Sequence, residues 1–346
     1  MMTFIDLRSD TVTKPTPAMW AAMAKAEVGD DVYGEDPTIN RLQEMAAEML
    51  GQEAGLFVAS GTMGNLIAVL AHCGRGDEVI MGDKAHTFIY EVGGVAALGG
   101  VHTHTIPNQE DGTLRIEDIR AAIRGRNVHF PITKLVVLEN TQNRCGGIAL
   151  PVEYCRQVAE LAHEHGLALH LDGARIFNAA VYWGVPVKEL TGMADSVTFC
   201  LSKALCAPVG SVLCGSKDFI ARALRIRKQL GGGMRQAGVL AAAGIVALDE
   251  MVDRLAEDHQ RAKALAAGLA KISGLAVQKK EHETNMVFVR LMDEVSMSDA
   301  EVVAALKAEG ILASAAGPRL LRLVTHYWID DAAVEKTIRA FEKVLG

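Results

Sequence analysis

The feature that most constrains this chain is a repeated alternation of short apolar runs with longer amphipathic segments. Leu56–Ala59, Glu78–Met81, Val101–Ile106, Lys134–Leu138, Leu167–Leu171, Ser196–Leu201 and Ser211–Cys214 read as strands. Several are apolar at successive positions, as strands covered on both faces must be. Segments with helical periodicity, such as Val152–Glu164, lie between most of them. This pattern predicts an α/β fold: a mainly parallel seven-stranded sheet with helices on both faces. A short Pro/Gly turn joins Ser196–Leu201 to Ser211–Cys214. It is too short for a parallel crossover, so one of that pair is expected to be antiparallel. Two helical stretches follow, Lys217–Leu230 and Gln236–Ile272, and then strand Met286–Leu291, helix Ser298–Glu309, strand Leu320–Val324 and helix Asp331–Leu345. The expected division is residues 1–250, an N-terminal segment plus the large domain, and residues 251–346, a small α+β C-terminal domain.

Composition narrows the function. Half of the 346 residues are hydrophobic, enough for a large core. A net charge of −7 argues against a nucleic-acid partner. No apolar stretch is long enough to span a membrane, and no basic-then-apolar leader opens the chain. The six cysteines form no CxxC pair and no zinc spacing. A cytoplasmic protein with no metal site is expected.

Lys203 stands directly after the run Ser196–Leu201, beside Ser202 and a Pro/Gly turn. A desolvated lysine loses its proton more easily, and a neutral amine attacks carbonyls. That is the setting for a Schiff base with pyridoxal phosphate (PLP). Read alone, Lys203 also serves as a lysine closing a strand against solvent; the residues upstream decide between the two. Ser60-Gly61-Thr62 follows a strand and opens a helix, which suits a phosphate and equally suits a plain N-cap. His86 lies just past Met81, at the sheet edge where ligands gather in open α/β folds, and an imidazole there can stack on a pyridine ring. A surface histidine is the plainer reading. The run Leu167–Leu171 delivers Asp172 to the same edge, where a carboxylate keeps a pyridine nitrogen protonated. Arg175, three residues on, has the planar fork for a substrate carboxylate; the alternative is an ion pair at the start of the next helix. Glu139-Asn-Thr-Gln-Asn-Arg-Cys-Gly-Gly147 brings a polar cluster to this edge, or simply a turn.

Assembled in order, these residues resemble the PLP-dependent threonine aldolases of the β-eliminating lyase superfamily, within the aspartate-aminotransferase-like fold type I. The resemblance runs nearly end to end. It covers Asp6-Leu-Arg-Ser-Asp-Thr-Val-Thr13, Val28-Gly-Asp-Asp-Val-Tyr-Gly-Glu-Asp-Pro37, Ser60-Gly-Thr-Met63, Glu139-Asn-Thr141, His170-Leu-Asp-Gly-Ala-Arg175, Leu201-Ser-Lys203, Gly231-Gly-Gly-Met-Arg-Gln236 and Arg322-Leu-Val-Thr-His326. It implies Lys203 as the Schiff-base lysine, Asp172 as the partner of the pyridine nitrogen and His86 as the stacking histidine. Gly61 and Thr62 are then phosphate ligands, with Arg235 reaching the phosphate from a neighbouring subunit. Ser9, Arg175 and Arg322 form a substrate-carboxylate clamp, and Tyr33, Lys228 and His129 are further active-site residues, some contributed across an interface. It also implies a tetramer, a dimer of dimers with shared sites.

The chain departs from the family where Gly64 replaces Ala, Ala204 replaces Gly and Gln142 replaces His. The implied reaction is aldol cleavage of L-threonine, L-allo-threonine and other β-hydroxy-α-amino acids to glycine and an aldehyde, with His86, His129 or a water they hold as candidate base. The rivals on the same fold are an aminotransferase, another PLP-dependent lyase, or a PLP-binding homologue without turnover.

Overall fold

The computed structural model describes residues 4–278 and 283–346. Its strands are β1 (Ile5–Asp6), β2 (Ala54–Val58), β3 (Glu78–Gly82), β4 (His102–Ile106), β5 (Thr133–Glu139), β6 (Ala168–Asp172), β7 (Ser196–Cys200), β8 (Ser211–Gly215), β9 (Leu275–Val277), β10 (Met286–Leu291), β11 (Ile311–Leu312), β12 (Ser314–Gly317) and β13 (Leu320–Val324). All seven strands expected in the first part of the chain are present, their ends within two residues of those expected. They form one sheet in the order β2-β8-β7-β6-β5-β3-β4. β8 is the antiparallel member, paired that way with both β7 and β2; β4, β3, β5, β6 and β7 are mutually parallel.

Alternate residues of these strands enter cores on opposite faces. Val136, Leu138, Leu169, Leu171, Val197 and Phe199 pack into one core. Val79, Met81, Leu135 and Val137 pack with Leu66 and Val69 of the helix Gly61–His72 on the other face. Burial on both sides explains the uninterrupted apolar runs. From β3 the chain crosses outward to β4, and from β5 it proceeds the opposite way to β6 and β7. The β5–β3 boundary is therefore the switch point, outside whose strand ends a crevice opens.

β9 to β13 carry the second unit. β12, β13, β10 and β9 form a four-stranded antiparallel sheet, with its own apolar cluster of Leu265, Leu269, Val287, Val289, Leu321, Leu323 and Phe341. The N-terminal segment is tied to this unit: β1 pairs in parallel with β11, and Leu7 sits in the second cluster. The stretch 236–272, expected as one helix, comes instead as Gly238–Glu250 and Leu255–Leu269. A single helix of that length would run about 55 Å. The break lets Ala241, Ala243 and Ala247 face the large core while Ala262, Leu265 and Leu269 face the small one. The strands β9, β11 and β12 escape a pattern reading because two to four residues carry too little periodicity. No described helix is long and apolar enough to cross a membrane.

Candidate active site

A cleft of about 450 Å³ opens at the C-terminal edge of the large sheet. Its lining includes Ser9, His86, Arg175, Lys203 and Arg322. Five residues expected to share a site, drawn from both units, thus meet in one cavity. Lys203 lies in the turn after β7, half-buried, and its carbonyl accepts a 2.8 Å hydrogen bond from the Thr13 hydroxyl. The left-handed residue of that turn is Cys206, with φ of 65°. Ala204 itself is not left-handed, so the turn does not require glycine beside Lys203.

Asp172 ends β6 and is buried. Its Oδ2 accepts from Asn65 Nδ2 at 2.9 Å and its Oδ1 from the Ala174 amide at 3.2 Å. The other Asn65 amide hydrogen goes to Glu91 Oε1 at 2.9 Å, and the same oxygen lies 2.9 Å from His86 Nδ1. Ligating atoms of His86, Glu91 and Asp172 all fall within 4.8 Å of one another. The hydrogen bond to Glu91 raises the His86 pKa, against a desolvation that opposes it, and Asp172 adds to the rise. Glu139 lies beside the switch point, where its carboxylate accepts the His86 amide at 2.7 Å and the Asn143 amide at 2.9 Å. Burial, with the charge of Asp172 adding to it, lifts Glu139 to about 7. Gln142 holds the same loop, donating to the Lys84 carbonyl at 3.1 Å and accepting from the Cys145 amide at 2.7 Å.

The opposite wall is cationic. Arg175 is buried and grips Asp10 with both prongs, Nε to Oδ2 at 2.7 Å and a terminal nitrogen to Oδ1 at 2.5 Å. The ion-pair reading of Arg175 is met, and the partner is Asp10, brought by the N-terminal strap. Burial alone would raise Asp10, but the Arg175 guanidinium outweighs it and holds the carboxyl down at about 2. Arg322, on β13, donates to Asn143 Oδ1 at 3.2 Å and to the Arg8 carbonyl at 3.1 Å. Desolvation, with Arg175 beside it, lowers the Arg322 pKa. Two guanidinium groups against one carboxylate leave net positive charge facing the cleft, a site for an anion. Ser9 caps the turn between them, accepting from the Thr11 amide at 3.2 Å.

Ser60 caps the helix Gly61–His72 by accepting from the Met63 amide, so the N-cap reading of that residue holds. The amides of Gly61 and Thr62 have no intrahelical acceptor at any helix start. A Cβ on Gly61 would come 2.9 Å from Cys200 Sγ, so only glycine lets this helix start press against the end of β7. At Gly64 a Cβ would meet Thr198 Cγ2 at 2.6 Å, which accounts for glycine there.

Besides the buried Asp172, seven expected site residues are absent from the cleft lining: Ser60, Gly61 and Thr62 at the helix start, and four more elsewhere on the surface. Tyr33, His129, Lys228 and Arg235 are exposed and do not line it. Arg235 pairs instead with Asp30 at 2.8 Å. Conversely, the sequence reading gave no role to Asp10, Asn65 and Glu91, and had Asn143 only within the polar cluster Glu139–Gly147. Asn65 had a signal: it is a lone amide in the apolar run Leu66–Leu70 and its flanks, where a polar side chain must find a buried partner. Glu91 stands likewise between Phe88-Ile-Tyr90 and Val92.

Comparison with known proteins agrees with this geometry. The family model described as beta-eliminating lyase matches residues 6–292. The chain is 54% identical over 343 residues to the Arabidopsis thaliana protein named "Probable low-specificity L-threonine aldolase 2", covering 98% of this chain and 97% of that one. It is 50% identical over 322 residues to the low specificity L-threonine aldolase of Escherichia coli K12, covering 93% of each. Among solved structures, the Leishmania major threonine aldolase superposes with a TM-score of 0.84 at 23% identity, covering 99% of both chains, which shows a shared fold. The chain belongs to the beta-eliminating lyase family, as a lyase of its threonine aldolase group.

Proposed function

We propose that this protein is a PLP-dependent aldehyde-lyase. It cleaves L-threonine, L-allo-threonine and related β-hydroxy-α-amino acids to glycine and an aldehyde. The observation that carries the reading is the meeting of an amine, an imidazole and two guanidinium groups in one cleft, with a buried carboxylate behind the imidazole. The donor set fits the cofactor. Lys203 Nζ is the amine for its aldehyde, Asp172 the anion for its ring nitrogen, and His86 a flat ring beside them. The helix start at Gly61 and Thr62, pressed against β7, offers amides to its phosphate.

Bound there, PLP would supply an electron sink for the broken Cα–Cβ bond. The chain's own residues do the rest. Arg175 and Arg322, with Ser9, bind the substrate carboxylate and fix the amino acid by one end. Asp172, oriented by its two N–H donors, is the carboxylate that would keep a proton on the ring nitrogen. His86 commits Nδ1 to Glu91, which leaves Nε2 to take the β-hydroxyl proton, directly or through a water.

The second part of the proposal is assembly. Tyr33, His129, Lys228 and Arg235 complete the site of a neighbouring copy, in a dimer or a tetramer of dimers. Exposed apolar side chains support this: Tyr33 is 75% exposed, Val92 95% and Val128 96%. A division near residue 250 is supported by the separate apolar cluster of the second unit, which Leu7 joins from the N-terminal segment. Six buried cysteines fit a reducing compartment, which we read as the cytoplasm.

The test is direct. Protein loaded with PLP and given L-threonine should release glycine and acetaldehyde in equal amounts. Conversion of the cofactor to pyridoxamine phosphate by an amino acid alone would identify an aminotransferase instead, and PLP binding without either product would leave a non-catalytic binder.

A further inference from the structure

Behind Asp172 lies a buried line of polar groups that the proposed reaction does not use. Asn65 and His72 are seven residues apart on the helix Gly61–His72, two turns, and so share the face packed on the sheet. His170 and Asp172 are two apart on β6 and point to that same side. Ser196 of β7 is the registered neighbour of His170. The distances are continuous: His72 Nε2 to Ser196 Oγ 2.8 Å, Ser196 Oγ to His170 Nδ1 2.9 Å, His170 Nε2 to Asn65 Oδ1 3.1 Å, and Asn65 Nδ2 to Asp172 Oδ2 2.9 Å.

The chemistry of each group fixes the direction of every bond. Asn65 faces two carboxylates with one end, Asp172 and Glu91, so that end is its NH₂ and the other its carbonyl. The carbonyl only accepts, so His170 carries its hydrogen on Nε2. Burial holds the His170 pKa down at about 3, with the neighbouring His72 adding to this, so the ring is neutral and Nδ1 is a bare acceptor. Ser196 must then donate to Nδ1, and its remaining lone pair accepts from His72 Nε2. Four hydrogen bonds in series thus point one way and end on the carboxylate.

We propose that Asn65, His170 and Ser196 are positioning residues that act through Asp172: their aligned hydrogen bonds hold that carboxylate in one orientation, and so set how firmly the cofactor's ring nitrogen keeps its proton. The inference rests on the PLP reading above for its consequence, but not for the bond directions. Hydrogen bonds aligned in a buried chain polarise one another, so the last bond, to Asp172, is stronger than an isolated amide would make it. The same Asn65 also ties Glu91, and through it His86, to Asp172. Its removal therefore loosens two groups of the site, whereas loss of His170 weakens only the line.

The first measurement is nitrogen NMR of the wild-type protein, labelled with ¹⁵N in histidine. His170 should be the neutral Nε2–H tautomer with or without cofactor; an Nδ1–H tautomer overturns the proposal. This reading is independent of PLP and of any variant's folding. The second uses PLP labelled with ¹⁵N in its ring. In His170→Phe and Asn65→Ala, the ring-nitrogen shift should move toward the unprotonated value, and kcat for L-threonine should fall about tenfold in His170→Phe and further in Asn65→Ala, with KM unchanged in His170→Phe. His170→Gln, which keeps an N–H for Asn65 in a side chain of similar reach, should recover most of both. Variants that bind PLP yet keep the wild-type shift and kcat would reduce the line to packing and sink the proposal. A wild-type protein that takes up no PLP would refute the functional reading instead, while the tautomer result would still stand or fall alone.

Discussion

Two sets of residues, all expected in one active site, have opposite surroundings. Lys203, His86, Asp172, Arg175 and Arg322 converge within one chain, and most are fixed by buried partners: Asp10 grips Arg175, Asn65 holds Asp172 and Glu91 holds His86. Tyr33, His129, Lys228 and Arg235 are exposed. The first set is preorganised by the fold of a single chain. The second set lies at the surface, with Arg235 paired to Asp30. The proposed assembly would explain the contrast: one copy would carry the chemical half of a site and present the complementing half to a neighbour.

The largest expected effect lies in the first set. Lys203→Ala should lower turnover of L-threonine by roughly a thousandfold or more while the circular dichroism spectrum stays that of the wild type. A variant retaining most of the rate would remove the amine from the account. Next comes Asp172→Asn. It should reduce kcat about a hundredfold and weaken PLP binding far less, because the phosphate provides most of the grip. Equal losses in the two would make Asp172 structural.

The two arginines divide the first set more finely. Each Ala variant should raise KM for L-threonine by roughly tenfold, the cost of one charged hydrogen-bonding partner. Only Arg175→Ala should also lower folding stability, by about 3–5 kcal/mol, because it strands Asp10 buried and unpaired. Urea titrations of the two variants would separate them, and equal stabilities would mean that Asp10 finds another partner. Since Asp10 is held at about 2, the pair stays intact at ordinary pH and is lost only as pH falls toward that value.

The smallest effect is a slope. Glu139 rises from 4.5 to about 7 on folding, so the folded protein binds this proton more tightly than the unfolded chain. Its contribution to stability must therefore fall as pH rises between those values and level off beyond them. His86, also raised, works in the same direction as pH passes its own folded pKa. Melting temperatures between pH 5 and 8 should decline, and Glu139→Gln should flatten that decline. An unchanged slope would show that the proton resides elsewhere in the cluster.

The large sheet was legible because strands buried on both faces leave apolar runs, and because Asp172 and Lys203 sit at strand ends where such runs stop. The helix break near Met251 was not, since it answers to two cores that no local periodicity reveals. Asp10 illustrates the same limit in the site. It pairs with a residue 165 positions away, carried there by β1 joining β11, and nothing in its local sequence announces that pairing. Ser60 carried both of its readings at once, capping the helix whose amides remain available for an anion. The placement of Tyr33 and Arg235 beside a cofactor came from family resemblance alone, which is why the contrast between the two sets is the point to test.

Subunit mixing tests it most directly. Lys203→Ala and Arg235→Ala proteins, each inactive alone, are dissociated, mixed in equal amounts and reassociated, with exchange verified by mass. If sites are shared, each mixed dimer holds one site with both wild-type residues, and activity should return to about a quarter of the wild-type level. Proven exchange with no recovery would contradict the account, placing Arg235 in the same chain's site as Lys203 or outside the site altogether.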